Sequence, residues 1–209
     1  MNLEEHYHTF YSESLSKFTL KNINHNEKAV FLDRDGILIE DVNHISSLEQ
    51  IKLCKNVKEF LKKARDNNYS IIVVTNQSSI SRKIISYLEY IKITEKFLSF
   101  LKTDILPDLI LTSFHLPNNK SSLKNFNWRK PGTGMFEYAI EKYNFEPNKS
   151  IMVGDKLTDL IPANNCRISK LVYIRSALHL NELNKVLEWN MNRTNKIKVL
   201  NELDLFNVI

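Results

Sequence analysis

Two carboxylates, Asp33 and Asp35, close the apolar run of AVFLDRDGIL (29–38), with Arg34 between them and Gly36 after them. In an extended chain residues two apart project to the same side, so both acids are predicted to face one site while Arg34 points elsewhere. Carboxylates held together at neutral pH repel, and the remedies are a divalent cation or a shared proton. Magnesium suits such a site, because it prefers oxygen ligands and accepts few protein carboxylates when water or phosphate completes the octahedron. Asp155, at the end of another apolar run, can supply a further ligand. Asp33 can then act as a nucleophile toward phosphorus. Asp35 can protonate the departing oxygen and later activate water. Thr75 offers a hydroxyl and Lys130, in WRKPGTGM, a mobile cation, both suited to the equatorial oxygens of a transferring phosphoryl group. Taken singly, such acids cap helices or sit in solvent, and a lone lysine is a solvated charge. The combination favours phosphoryl chemistry.

The elements that must position these groups read as alternating strands and helices. KAVFLD (28–33), SIIVVTN (70–76), PDLILTSF (107–114), SIMVGD (150–155) and LVYIR (171–175) have the β-branched, apolar character of buried strands. Val57, Phe60, Leu61 and Ala64 share one helical face in 56–68, and Phe136, Ala139 and Ile140 another in 134–144. This alternation predicts an α/β fold, doubly wound, with a mainly parallel sheet and helices on both faces. Ligands bind such folds beyond the carboxyl ends of the strands, where Asp33, Thr75, Asn76, His115 and Asp155 fall. Residues 1–27 read as an appended N-terminal arm and 28–209 as the main domain; deleting residues 1–24 is expected to leave turnover of a small phosphate ester largely unchanged. The segment 176–209 reads as helix, a short strand near 197–200 and a closing helix.

Composition narrows the setting. The 43% hydrophobic and 25% charged content is that of an ordinary globular protein. A net charge of +5 allows an anionic partner, yet the basic residues form no long run, so a phosphorylated small molecule satisfies the bias as well as nucleic acid does. Cys54 and Cys166 are too few for a disulfide framework, which suits a reducing cytoplasm. No stretch of 18 apolar residues occurs and the N-terminus lacks a signal-peptide pattern, so no membrane partner is expected.

FLDRDGIL, VVTNQSSI, RKPGTGM and MVGDKLTD, in this order, resemble the four motifs of the haloacid dehalogenase-like phosphohydrolases, over roughly residues 28–175. The resemblance implies a Rossmann-like fold without a large cap domain. It implies Asp33 as nucleophile, Asp35 as acid and base, Thr75 and Lys130 on the phosphate, and a magnesium ion held by Asp33, Asp35 and Asp155 with Asp159 in support. Within the superfamily, the Arg34 between the aspartates, TNQSSISR and residues 41–57 resemble the heptose bisphosphate and histidinol-phosphate phosphatases, the heptose group more closely. That likeness implies Asn76, Arg82, Arg129 and Lys156 as substrate contacts and the 7-phosphate of D-glycero-D-manno-heptose 1,7-bisphosphate as the group removed, in the supply of activated heptose for surface polysaccharide. The expected partner is a small phosphorylated sugar and the expected state a monomer.

Departures from the pattern matter too. The family commonly holds a structural zinc before RKP through a Cys-x-His and a Cys-x-Cys pair, but here those places read Ser113, His115, Phe126 and Trp128. One histidine cannot build such a site, so no structural zinc is expected, and Phe126 with Trp128 is expected to order the loop by apolar packing. Three other readings stay open: histidinol phosphate as substrate, a polynucleotide 3′-phosphatase, and a non-catalytic binding module.

Overall fold

Period-two alternation of apolar residues gives one sheet two buried faces, and each face has its own helices. The computed structural model describes residues 2–12, 15–21, 26–45, 47–116, 128–176, 178–191, 193, 196–201 and 208–209. The chain runs through a single helical turn α1 (Leu3–His6), then strands β1 (Tyr7–Tyr11), β2 (Leu15–Leu20) and β3 (Lys28–Leu32). Next come α2 (Val57–Asp66), β4 (Tyr69–Asn76), α3 (Tyr87–Ser99) and β5 (Leu109–Ser113). Helix α4 (Gly134–Tyr143), β6 (Ile151–Gly154), α5 (Leu157–Asn165), β7 (Lys170–Ile174), α6 (Leu180–Met191) and β8 (Lys198–Leu200) follow. The sheet order is β1-β2-β5-β4-β3-β6-β7-β8. Strands from β5 to β8 are parallel, as the α/β reading predicts, with Val30 beside both Ile71 and Ile151.

Along β3, Val30 and Leu32 join one core with Phe60, Leu61, Tyr90 and Phe97 of α2 and α3. Ala29 and Phe31 face the other, with Met135 and Phe136 of α4 and Leu160 of α5. Fully burying an aliphatic or aromatic side chain of this kind contributes about 1.5–3 kcal/mol. Ser86 and Glu89 close a reciprocal capping box at the start of α3, and Asn144 ends α4 in the left-handed region at φ 55°. Between Gly36 and β4 the described residues form a turn, one 3₁₀ turn at Leu48–Gln50 and α2. No cap domain is built there among them. No helix is long and apolar enough to cross a membrane among the described residues.

The N-terminal residues differ from an arm laid against the side of the sheet. β1 and β2 form a hairpin, and β2 pairs antiparallel with β5, Leu15 opposite Ser113. Tyr7 and Phe18 are buried, and Tyr7 Oη donates to Pro107 O at 2.8 Å. Deleting the segment would therefore expose the β5 edge and open the core, so the expectation of an inconsequential deletion is withdrawn. The predicted closing helix overlaps residues 202–207, outside the described residues.

Candidate active site

Strand ends deliver the charged residues to a cavity of about 400 Å³. β3 ends at Leu32, one residue before Asp33, whose backbone N–H still donates to Val153 O of β6 at 3.1 Å. Beyond it the chain turns, with Gly36 at φ 82°. A Cβ on Gly36 would lie 2.6 Å from Asp155 Oδ2, so both conformation and space require glycine there. The turn overrides the extended-chain expectation for Arg34. Its guanidinium lines the cavity and folds onto Asp35, Nε to Oδ1 at 3.0 Å and Nη2 to Oδ2 at 3.1 Å.

Lys130 is the hub. Its Nζ is 2.9 Å from Asp33 Oδ1 and 2.7 Å from Asp159 Oδ1, and it donates to Val74 O at 2.7 Å. Burial alone would lower the ammonium, but Asp159 and Asp33 outweigh it and hold the group above its usual range. Asn76 brings Lys130 into place: its Nδ2 donates to Lys130 O at 2.9 Å and its Oδ1 accepts from Lys130 N at 3.1 Å. Asn76 thus braces the Lys130 backbone while also lining the cavity. Thr75 Oγ1 accepts from Gln77 Nε2 at 3.0 Å, and the same amide lies 2.5 Å from Asp35 Oδ2.

The acids separate into two groups. Ligand atoms of Asp33, Asp155 and Asp159 lie within 4.8 Å of one another. The Asp35 carboxylate is not in that group and instead meets Arg34 and Gln77 Nε2. Asp159 is supporting: Oδ1 meets Lys130, and Oδ2 accepts from Lys156 N at 3.0 Å. Its carboxyl is raised, chiefly by burial, with Lys130 opposing. Asp155 is fully buried and neither of its oxygens has a hydrogen-bond partner among the described residues. Burial first, then Asp159, pushes its carboxyl up to about 8 against the pull of Lys156. Orphaned carboxylate oxygens beside Asp33 are what a hard, oxygen-seeking ion satisfies, and magnesium fits these residues.

Around this centre lie further cations. Lys156 Nζ is 3.4 Å from Asp41 Oδ2 and 3.7 Å from Asp155 Oδ2, and these acids keep it charged despite burial. Arg129 donates from Nη1 to His115 O at 2.8 Å, and burial followed by Arg82 lowers its guanidinium. Arg82 and Arg129 both line the cavity, and neither pairs with a carboxylate among the described residues.

Of the expected zinc positions, Phe126 lies outside the described residues. Trp128 packs edge-on against Tyr138, and its Nε1 donates to Thr112 O at 3.0 Å. Sequence reasoning missed Gln77, Asp41 and His179 as cavity residues. Gln77 and Asp41 stand inside stretches that carry the family resemblance, whereas His179 lies between the strands read at 171–175 and 197–200 and carries no local signal.

Comparison with known proteins agrees with this geometry. The family model "Polynucleotide kinase 3 phosphatase" matches residues 28–166. D-glycero-beta-D-manno-heptose-1,7-bisphosphate 7-phosphatase of Haemophilus ducreyi is 35% identical over 153 residues, 72% of this chain and 84% of that protein. D-glycero-alpha-D-manno-heptose-1,7-bisphosphate 7-phosphatase of Photorhabdus laumondii is 34% identical over 158 residues, 73% of this chain and 85% of its own length. The crystal structure of D,D-heptose 1,7-bisphosphate phosphatase from B. bronchiseptica, complexed with magnesium and phosphate, shares the fold at a TM-score of 0.69 and 19% identity, covering 86% of this chain and 95% of that one. With its four motifs gathered around one charged cavity, the chain belongs to the haloacid dehalogenase-like phosphatases, in the family described as polynucleotide kinase 3 phosphatase.

Proposed function

We propose that this magnesium-dependent phosphatase works through an aspartyl-phosphate on Asp33 and removes the 7-phosphate of D-glycero-D-manno-heptose 1,7-bisphosphate. The observation that carries the mechanism is the buried Asp33–Lys130–Asp159 cluster beside the unpartnered Asp155. Among the described residues the polar contacts on Asp33, from Lys130 and from Arg34 N at 2.8 Å, fall on Oδ1, which leaves Oδ2 as the attacking atom. As the Asp33 Oδ2–P bond forms, the bond from phosphorus to the sugar oxygen breaks and Asp35 gives that oxygen its proton. Asp35 then takes a proton from water, which attacks phosphorus and frees Asp33. Arg34 and Gln77 fix Asp35 for both transfers. Lys130 and Thr75 meet the charge spread over the equatorial oxygens. Asp33 and Asp155 would hold the magnesium ion, which would supply charge neutralisation for the phosphoryl oxygens.

The sugar is inferred from the names of the relatives and from Arg82 and Arg129, two guanidiniums without carboxylate partners among the described residues, which suit a second phosphate. We take the enzyme to be cytoplasmic and monomeric. A second reading, hydrolysis of a 3′-phosphorylated oligonucleotide, rests on the description of the matching family. Phosphate release should be measured on heptose 1,7-bisphosphate, histidinol phosphate and a 3′-phosphorylated oligonucleotide, with Asp33→Asn as control. Preference for the heptose, abolished by the substitution, is the expected result, and preference for another substrate overturns the assignment.

A further inference from the structure

The family match ends at residue 166, yet a later residue lines the cavity. His179 immediately precedes α6, and its Nε2 lies 2.9 Å from Asp41 Oδ2. The same oxygen faces the Lys156 ammonium at 3.4 Å. Helix α6 is tied to this corner a second time, because Glu182 Oε2 accepts from Leu157 N at 3.1 Å, at the first turn of α5 and next to Lys156. Three separate stretches of chain therefore meet at one lysine: the turn after β3, the start of α5 and the approach to α6.

A lysine loses rotamer freedom when fixed, so one held beforehand binds an anion at less cost. Asp155 alone is a poor anchor, since its oxygens also face the magnesium position. Asp41 is the carboxylate that remains for Lys156, and His179 orients Asp41. Asp41, Asp155 and His179 also have ligand atoms within 4.8 Å of one another, as a second cation site would. The Lys156 ammonium, close to both carboxylates, already supplies the positive charge there.

We propose that Asp41 and His179 are positioning residues that form a strap from the C-terminal segment and hold Lys156 Nζ toward an oxygen of the phosphoryl group bound over Asp33. The inference rests on the phosphatase reading of this site, and its readout does not depend on which sugar is the substrate. His179→Ala should raise both KM for p-nitrophenyl phosphate and the calorimetric Kd for inorganic phosphate in magnesium buffer about tenfold, the scale of one hydrogen bond to a charged group. The change in kcat should stay within about threefold. His179→Gln, whose amide can still donate to Asp41, should recover most of the loss. Lys156→Met should reproduce the effect, and adding His179→Ala to it should cost nothing more. Circular dichroism and an unchanged unfolding midpoint establish that the variants are folded.

Additive losses, no recovery by glutamine in a folded protein, or an equal fall in kcat with KM unchanged would overturn the strap. Wild-type protein that binds phosphate without hydrolysing the ester would overturn the phosphatase reading alone, and the strap would still be decided by the Kd series. A wild type that does neither overturns both.

Discussion

Asp155→Asn separates what the metal site costs from what it does. Asp155 is fully buried with both oxygens unpartnered, and its carboxyl is pushed up to about 8, first by burial and then by Asp159. The folded state thus binds this proton more tightly than the unfolded chain, whose carboxyl titrates near 3.8. The associated stability is fully present below that value and is lost as pH rises toward 8. At pH 7, with about 1.4 kcal/mol for each unit above 3.8, the metal-free protein carries a strain of about 4 kcal/mol. Asparagine removes the ionisation but leaves a buried amide costing about 1–3 kcal/mol. The variant should therefore be more stable than wild type by about 1–3 kcal/mol in chelator at pH 7, or about 2–12 °C in melting point. At pH 5 the advantage should vanish, because the ionisation strain falls to about the cost of the amide. Adding magnesium should raise the melting point of wild type and leave the variant unmoved. A variant less stable than wild type in chelator at pH 7, or equally favoured at both pH values, would refute the reasoning.

Other perturbations follow from the same geometry. Gly36→Ala places a Cβ 2.6 Å from Asp155 Oδ2 at φ 82°, so it should lose at least about 1–2 kcal/mol in urea unfolding and weaken magnesium binding. Phe18→Ala should cost about 3–5 kcal/mol in the same assay, and a loss under 1 kcal/mol would show that the hairpin is a loose arm after all. Arg129→Ala should raise KM for the heptose bisphosphate by about tenfold or more, the scale of a charge-assisted contact, while leaving KM for p-nitrophenyl phosphate within about twofold. An equal effect on both would remove Arg129 from the second phosphate.

The central sheet was legible because its strands are buried on both faces and read as short apolar runs. SIIVVTN (70–76) against the observed Tyr69–Asn76 is one example. The hairpin was not, since β1 buries only Tyr7 of its five residues and β2 alternates weakly, so neither presents an apolar run. Asp33, Thr75, Lys130 and Asp155 were legible through residue type and spacing. Arg34 was misread because period-two reasoning holds only in extended chain, and β3 stops at Leu32. The pairing of Asn76 with the Lys130 backbone was not legible, because the two lie 54 residues apart in sequence. His179 was invisible for a similar reason, as its partner Asp41 is 138 positions away.

The most direct test of the account is to trap the covalent intermediate. Asp35→Asn keeps the nucleophile but removes the base that activates water, so a rapid acid quench with p-nitrophenyl phosphate and magnesium should yield protein heavier by one phosphoryl group. Peptide mapping should place that group on Asp33, and Asp33→Asn should abolish it. A phosphoryl group on another residue, or continued phosphate release with no phosphoprotein at any time point, would contradict Asp33 as the nucleophile.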